Sequence, residues 1–159
     1  MTDFWLLPLF PLVWFAASHM IATHSGWRAL AARFPQDAAP PSGQRFRFVS
    51  GRMGRVHGMP IHYAHCLTVT VGPESLSMSM VWFLRLHSPA FSLPWSQVEA
   101  VEPIAGGQDA LFRLRGGGAP TEFVLEGRAA QAALAAFDAA RGMRAQPPGH
   151  GRAGGGTGP

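Results

Sequence analysis

Residues 61–80 read IHYAHCLTVTVGPESLSMSM, and the fold class turns on them. Ile61 to Val71 is rich in β-branched and aromatic residues, which suit a pleated, half-buried surface. Gly72-Pro73-Glu74 turns the chain. Ser75 to Met80 then alternates strictly. Leu76, Met78 and Met80 share one face and the serines the other, the period-two pattern of a strand. Val81 to Leu84, VWFL, reads as a continuation of that strand, buried on both faces or bent by a bulge.

The same pattern extends in both directions. Gln44 to Ser50, QRFRFVS, places Phe46 and Phe48 on one face and Arg45 and Arg47 on the other. Gly51 to Pro60 holds three glycines and a proline and reads as a loop or irregular hairpin. Downstream, further strands are expected over Ala90 to Leu93, Val98 to Ile104, Ala110 to Arg115 and Thr121 to Leu125, with turns at His87-Ser88-Pro89, Gly106 to Asp109 and Gly116 to Gly118. One helix follows from Arg128 to Arg141, with Ala130, Ala133, Leu134 and Phe137 on its apolar face and Gly142 as its stop. Residues 43–141 thus form a mainly-β domain, an antiparallel sandwich or barrel of about seven strands capped by a helix. Leu76, Met78, Phe112, Leu114, Phe123, Leu134 and Phe137 are its expected core. Residues 142–159, rich in glycine, form a low-complexity tail that is expected to be disordered.

Upstream lies the strongest single signal. Phe4 to Thr23, FWLLPLFPLVWFAASHMIAT, contains no Asp, Glu or Arg. Its length matches the roughly 20 residues a helix needs to cross a bilayer. Apolar residues surround the helical wheel, unlike the one-sided stripe of a surface helix. Residues 4–23 are therefore expected to be a transmembrane helix. Asp3 and the lack of a small-residue cleavage site argue against a removed signal peptide. Arg28, Arg33, Arg45, Arg47, Arg52 and Arg55 all follow the segment, so the positive-inside bias puts the N-terminus outside and the domain in the cytoplasm. Residues 25–34, SGWRALAARF, form a juxtamembrane helix with Trp27, Leu30, Ala31 and Phe34 on one stripe. It either lies in the membrane interface or is simply the end of the span entering water. Residues 35–42 form a linker.

Composition narrows the function. Charged residues are only 14% of the 159, against the ~25% usual in soluble domains. All thirteen basic residues are arginine, and the net charge of +4 is too small for a dedicated nucleic-acid binder. A single cysteine, Cys66, excludes an intramolecular disulfide framework. No G-x-S-x-G, phosphate-cradling loop or dinucleotide fingerprint occurs. The expectation is a protein that binds rather than catalyses, with no cofactor and no metal. The alternative chemistry rests on His57, His62, His65 and Cys66, which are good ligand types for zinc or copper. On a strand, however, His62 and His65 would face opposite ways.

Seven strands followed by one helix is the element order of pleckstrin-homology-like domains. The segment SLSMSM, then FLRLHSP, then FSLPWSQV resembles the bacterial PH-like and GRAM-like small membrane proteins. The resemblance covers residues 43–141. It implies a PH-like sandwich and a setting at the bacterial inner (cytoplasmic) membrane, and it gives no specific activity. Between Asp37 and Glu74 the chain has no acidic residue but carries Arg45, Arg47, Arg52 and Arg55. In PH-like domains the first strands and their loop often hold a lipid headgroup, so these four arginines are the expected lipid-binding residues. Their other role would be to solvate an edge strand and set topology. The expected partners are the membrane and anionic lipid. A second expectation is a membrane-protein partner docked on an exposed row of Trp82, Phe83 and Trp95.

Overall fold

A computed structural model describes residues 9–36, 42–56, 59–116 and 120–145. The chain begins with helices α1 (Leu9–His24) and α2 (Trp27–Arg33). Seven strands follow: β1 (Gln44–Val56), β2 (Met59–Val71), β3 (Ser75–Met80), β4 (Phe91–Pro94), β5 (Val98–Ile104), β6 (Asp109–Leu114) and β7 (Glu122–Leu125). Helix α3 (Arg128–Ala145) closes the order. The strands form one antiparallel sheet in the order β4-β3-β2-β1-β7-β6-β5. It is a curled, barrel-like sheet with one C-terminal helix, as the mainly-β reading expects.

Strand β1 makes the curl. Its first residues pair with the end of β2, Phe46 opposite Val69, and its later residues pair on both sides, Gly51 with Tyr63 of β2 and with Leu125 of β7. Between these halves the register slips, and Phe48 (φ 57) and His65 (φ 49) take left-handed backbone conformations at the irregularities. Each extra residue bends the strand and adds twist. Two expectations change in consequence. The stretch after Ser50 is strand rather than loop, carried on through Gly51 to Val56. Phe48 does not share the face of Phe46: the bulge turns it out, 65% exposed. Gly54 (φ 66) sits at a third slip, and a Cβ there would meet the Ser25 carbonyl oxygen at 2.5 Å. Only glycine allows this close approach of β1 to the α1–α2 junction.

The core lies inside the curl. Leu67, Val69, Leu76, Met78, Phe91, Leu93, Trp95, Phe112, Phe123 and Leu125 are almost fully buried there. Phe112 and Phe123 stack with centroids 4.7 Å apart. Helix α3 docks through Ala129, Ala130, Ala133, Phe137 and Ala140, and Phe137 meets the edge of Trp95 at 6.1 Å. Leu134 is only partly buried, which sets it apart from the other expected core residues. Gly142 does not stop the helix, which runs to Ala145. The tail from 146 onward lies outside the described residues.

Helix α2 enters this core from the other end. Trp27, Leu30 and Ala31 belong to the same buried cluster as the sheet. Trp27 is fully buried, packs edge-on against Phe91 at 5.0 Å, and donates its indole N–H to the Pro89 carbonyl at 2.7 Å. The apolar stripe read from the sequence is therefore real, but it faces the sheet and not a membrane interface. Arg33 bonds from Nη2 to the Gln97 side chain and the Arg115 carbonyl, each at 3.3 Å. Pro35 pairs with Phe91 as an isolated bridge. The folded unit thus starts ahead of residue 43, and a boundary there omits part of the core.

Helix α1 has 16 residues, about 24 Å at the ~1.5 Å rise of a helix. No helix among the described residues is long and apolar enough to cross a membrane. The expected span of 4–23 begins in residues that lie outside the described ones. Within α1, Leu9, Phe10, Leu12, Val13, Phe15 and Met20 are each at least half exposed, whereas Ala22 near its end is buried. Its later turns pack against α2 and the segment Trp82–His87.

Candidate anion-binding site

Alternation in β2 and β3 builds this site. Leu67, Val69, Val71, Leu76, Met78 and Met80 point into the core, so Thr68, Thr70, Ser75, Ser77 and Ser79 face the other way. Register aligns them across strands. Arg45 of β1 pairs with Thr70 of β2, Thr70 with Ser77 of β3, and Ser77 with Ser92 of β4. The next row pairs Thr68 with Ser79. The result is a hydroxyl-covered patch on the non-core face, and Thr70, Ser77 and Ser79 are nonetheless buried. Ser77 and Ser92 share a hydrogen bond of 2.9 Å, and Ser92 donates to Ser75 at 3.2 Å. The hydroxyls of Thr68, Thr70 and Ser79 form no side-chain hydrogen bond among the described residues.

A second element completes the patch. Residues 82–87 are not strand, as the sequence suggests, but a 3-10 turn, Trp82–His87. The physical reason lies in β2. Met80 opposite Leu67 is the last pair of the β2–β3 ladder, and β2 then bends at the irregularity that includes His65. Val81 N–H still reaches the Cys66 carbonyl at 2.9 Å, but the residues beyond have no strand to pair with. They coil locally instead, with Leu84 N–H on the Val81 carbonyl. The turn carries Arg85 to the rim of the hydroxyl patch.

The cavity there measures about 300 Å³ and is lined by Gln36, Gly43, Arg45, Thr68, Thr70, Ser77, Ser79 and Arg85. A shallower cavity of about 440 Å³ shares Arg45, Thr68, Ser79 and Arg85 with it and adds Arg47, Phe48 and Trp82. Trp82 is 83% exposed. No carboxylate lines either cavity, and Arg45, Arg47 and Arg85 make no ion pair among the described residues. Three unneutralised guanidiniums, unpaired hydroxyls and two exposed aromatic rings therefore share one continuous face.

The four arginines singled out in the sequence do not all meet. Arg45 and Arg47 do. Arg52 sits on the later half of β1 and pairs with Glu126 at 3.3 Å and Asp109 at 3.5 Å. Glu126 also meets His62 Nε2 at 3.5 Å, so this cluster ties β1, β2 and β6 to the loop between β7 and α3. Such a neutralised guanidinium is poorly placed to hold a separate anion. The Arg55 side chain lies outside the described ones. Arg85 was missed because a strand reading of 81–84 gives no reason to connect it with β1. Its signal in the sequence is that it is the first basic residue after the alternating run, six positions past Ser79.

Elsewhere, the histidine and cysteine stretch is dispersed. His65 sits at the bulge, its backbone N–H bonded to the Ser50 hydroxyl at 3.1 Å, while His62 turns to Glu126. His57 lies outside the described residues. Among the described residues no three of His, Cys, Asp or Glu stand close enough to hold a metal. Burial pushes the Cys66 thiol up from its ordinary pKa. It also pushes the Tyr63 hydroxyl up to about 12, opposed by the neighbouring Ser25 side chain. The row proposed for protein docking is broken, since Trp95 is buried against Phe137 and donates its indole N–H to the Gly72 carbonyl at 3.0 Å. No family model and no curated protein matches the sequence.

Proposed function

We propose that the chain is a membrane-attached binding protein, not an enzyme, whose β domain holds anionic headgroups at the surface of the bilayer. The observation that carries this reading is the acid-free face of Arg45, Arg47 and Arg85, flanked by the exposed rings of Phe48 and Trp82. Arginines seek phosphate, and exposed aromatic rings settle at the headgroup level. Helix α1 supports the reading because its first turns expose a full circumference of large apolar side chains, a surface too costly to leave in water. Together with the residues before it, α1 would be the single membrane anchor, with the domain on the cytoplasmic side as the arginine distribution favours. It packs against the same 3-10 turn that carries Trp82 and Arg85, so anchor and arginines are neighbours. The curled seven-stranded sheet with its single C-terminal helix is consistent with a PH-like domain.

Two measurements test the proposal. The full chain should remain with membranes through alkaline extraction, and release would sink the anchor. A fragment of residues 25–145, which keeps α2, should float with vesicles in proportion to their phosphatidylglycerol content. Three arginines at about 1 kcal/mol each predict roughly a hundredfold loss on changing all three to Gln, with a similar decline as salt rises. Equal flotation with neutral vesicles, or an unaffected triple variant, would overturn the headgroup reading.

A further inference from the structure

We propose that the hydroxyl-floored cavity between Arg45 and Arg85 is a specific site for a phosphate monoester, carried on a lipid or on a small polyol. This inference rests on the headgroup reading above and sharpens it from general attraction to recognition. A surface that merely attracts a charged bilayer needs only exposed cations. This site has more. Its arginines stand at the rim of a depression of about 300 Å³, near the lower end of the volumes that hold small ligands. Its floor consists of hydroxyl groups on two paired strands, fixed in position by the ladder.

Those hydroxyls divide into two sets. Ser75, Ser77 and Ser92 bond to one another. Thr68, Thr70 and Ser79 do not; Thr68 and Thr70 lie on β2, next to β1, with Thr70 directly opposite Arg45, and Ser79 lies opposite Thr68 on β3. A hydroxyl that lines the cavity and is uncommitted to a neighbouring side chain is a donor ready for an acceptor. Guanidinium forks match the geometry of phosphate oxygens, and hydroxyl donors complete the set that a diffuse surface lacks. A monoester presents three terminal oxygens and close to two charges, whereas a diester presents two oxygens and one charge. Two arginines and several hydroxyls around one depression therefore favour the monoester. No carboxylate competes for the guanidiniums.

The test uses the full chain in a non-ionic detergent and titration calorimetry with three probes. Dioctanoyl phosphatidic acid is a monoester lipid. Dioctanoyl phosphatidylglycerol is a diester lipid of the same chain length. Glycerol 3-phosphate is the monoester without a lipid. The expected result is phosphatidic acid bound at least about tenfold more tightly than phosphatidylglycerol, the scale of one lost charge-assisted hydrogen bond. The pair Thr70→Val and Ser79→Ala leaves every charge in place. It should weaken phosphatidic acid by about tenfold and leave phosphatidylglycerol unchanged. Arg45→Gln with Arg85→Gln should abolish the preference, and both arginines are exposed, so the fold should survive. If glycerol 3-phosphate binds as tightly as phosphatidic acid, the natural monoester is soluble. If it binds far more weakly, the monoester is a lipid headgroup. Equal affinity for both lipids, or no effect of the hydroxyl pair, would overturn the monoester site. Vesicle flotation would then still stand or fall on its own.

Discussion

Replacing Trp27 by Ala tests whether α2 is part of the folded unit. The side chain is fully buried, touches Phe91 and Tyr63, and bonds to the Pro89 carbonyl 62 residues away in sequence. Truncating a large buried aromatic costs about 3–5 kcal/mol in transfer and cavity terms. The Pro89 carbonyl loses its indole donor, which adds about 1 kcal/mol where water cannot replace it. The expected loss is therefore about 4–6 kcal/mol, comparable to the whole stability of a small domain, about 5–15 kcal/mol. Trp27→Phe keeps most of the ring contact and removes the hydrogen bond, so it should cost markedly less. Trp82→Ala is the control, since that ring is 83% exposed and its removal should change stability by about 0.5 kcal/mol or less. Urea unfolding of the full chain in non-ionic detergent, followed by near-ultraviolet circular dichroism, reads all three. The reasoning fails if Trp27→Ala is no more damaging than Trp82→Ala, because α2 would then be a loose extension of α1.

Two further expectations follow from burial. Phe137→Ala should destabilise by about 3–5 kcal/mol, whereas Leu134→Ala should cost about 1 kcal/mol, because only the former is buried against the sheet; thermal melts of the two variants compare them directly. Tyr63 gives a pH window. Its folded-state pKa is raised above the unfolded value of 10.0 to about 12, so the folded state holds the proton more tightly. The stability this provides is intact below pH 10 and is lost as the pH rises toward 12, and Tyr63→Phe should flatten that limb of a stability-against-pH curve.

Much of the sheet was legible because period two is a local property. SLSMSM marks the start of β3, although the expected strand ran on through Leu84, and VEAVEPI gives β5 its bounds. The errors fall where the backbone leaves the regular ladder. Phe48 looks like a partner of Phe46 under strict alternation, but the register slip after Phe46 turns it outward. VWFL has strand propensity, yet the bend in β2 leaves it nothing to pair with, so tertiary context decides against propensity. Residues 27–34 show the same limit in another form. Their apolar stripe can be read from spacing, but spacing cannot say whether the stripe meets lipid or protein. The answer depends on Phe91 and Tyr63, which are far away in sequence.

The candidate site was half legible for the same reason. Arg45 and Arg47 stood out in an acid-free stretch, and Arg52 stood out equally. Nothing local separates them. Asp109 of β6 and Glu126 of the β7–α3 loop neutralise Arg52, and among the described residues no acid forms an ion pair with Arg45 or Arg47. The serines of SLSMSM read as the solvent side of a strand, which needs no explanation. Ser77 and Ser79 line a cavity with Arg85 only because a turn that forms where pairing fails carries Arg85 to its rim. If α1 anchors the chain as proposed, tethering makes weak recognition sufficient. A domain held within a few nanometres of the bilayer meets headgroups at an effective concentration of the order of millimolar, so a site with only millimolar affinity would already be substantially occupied. Strong binding is therefore not what this cavity needs. Two arginines and a few hydroxyls would be enough to select which headgroup a tethered domain engages.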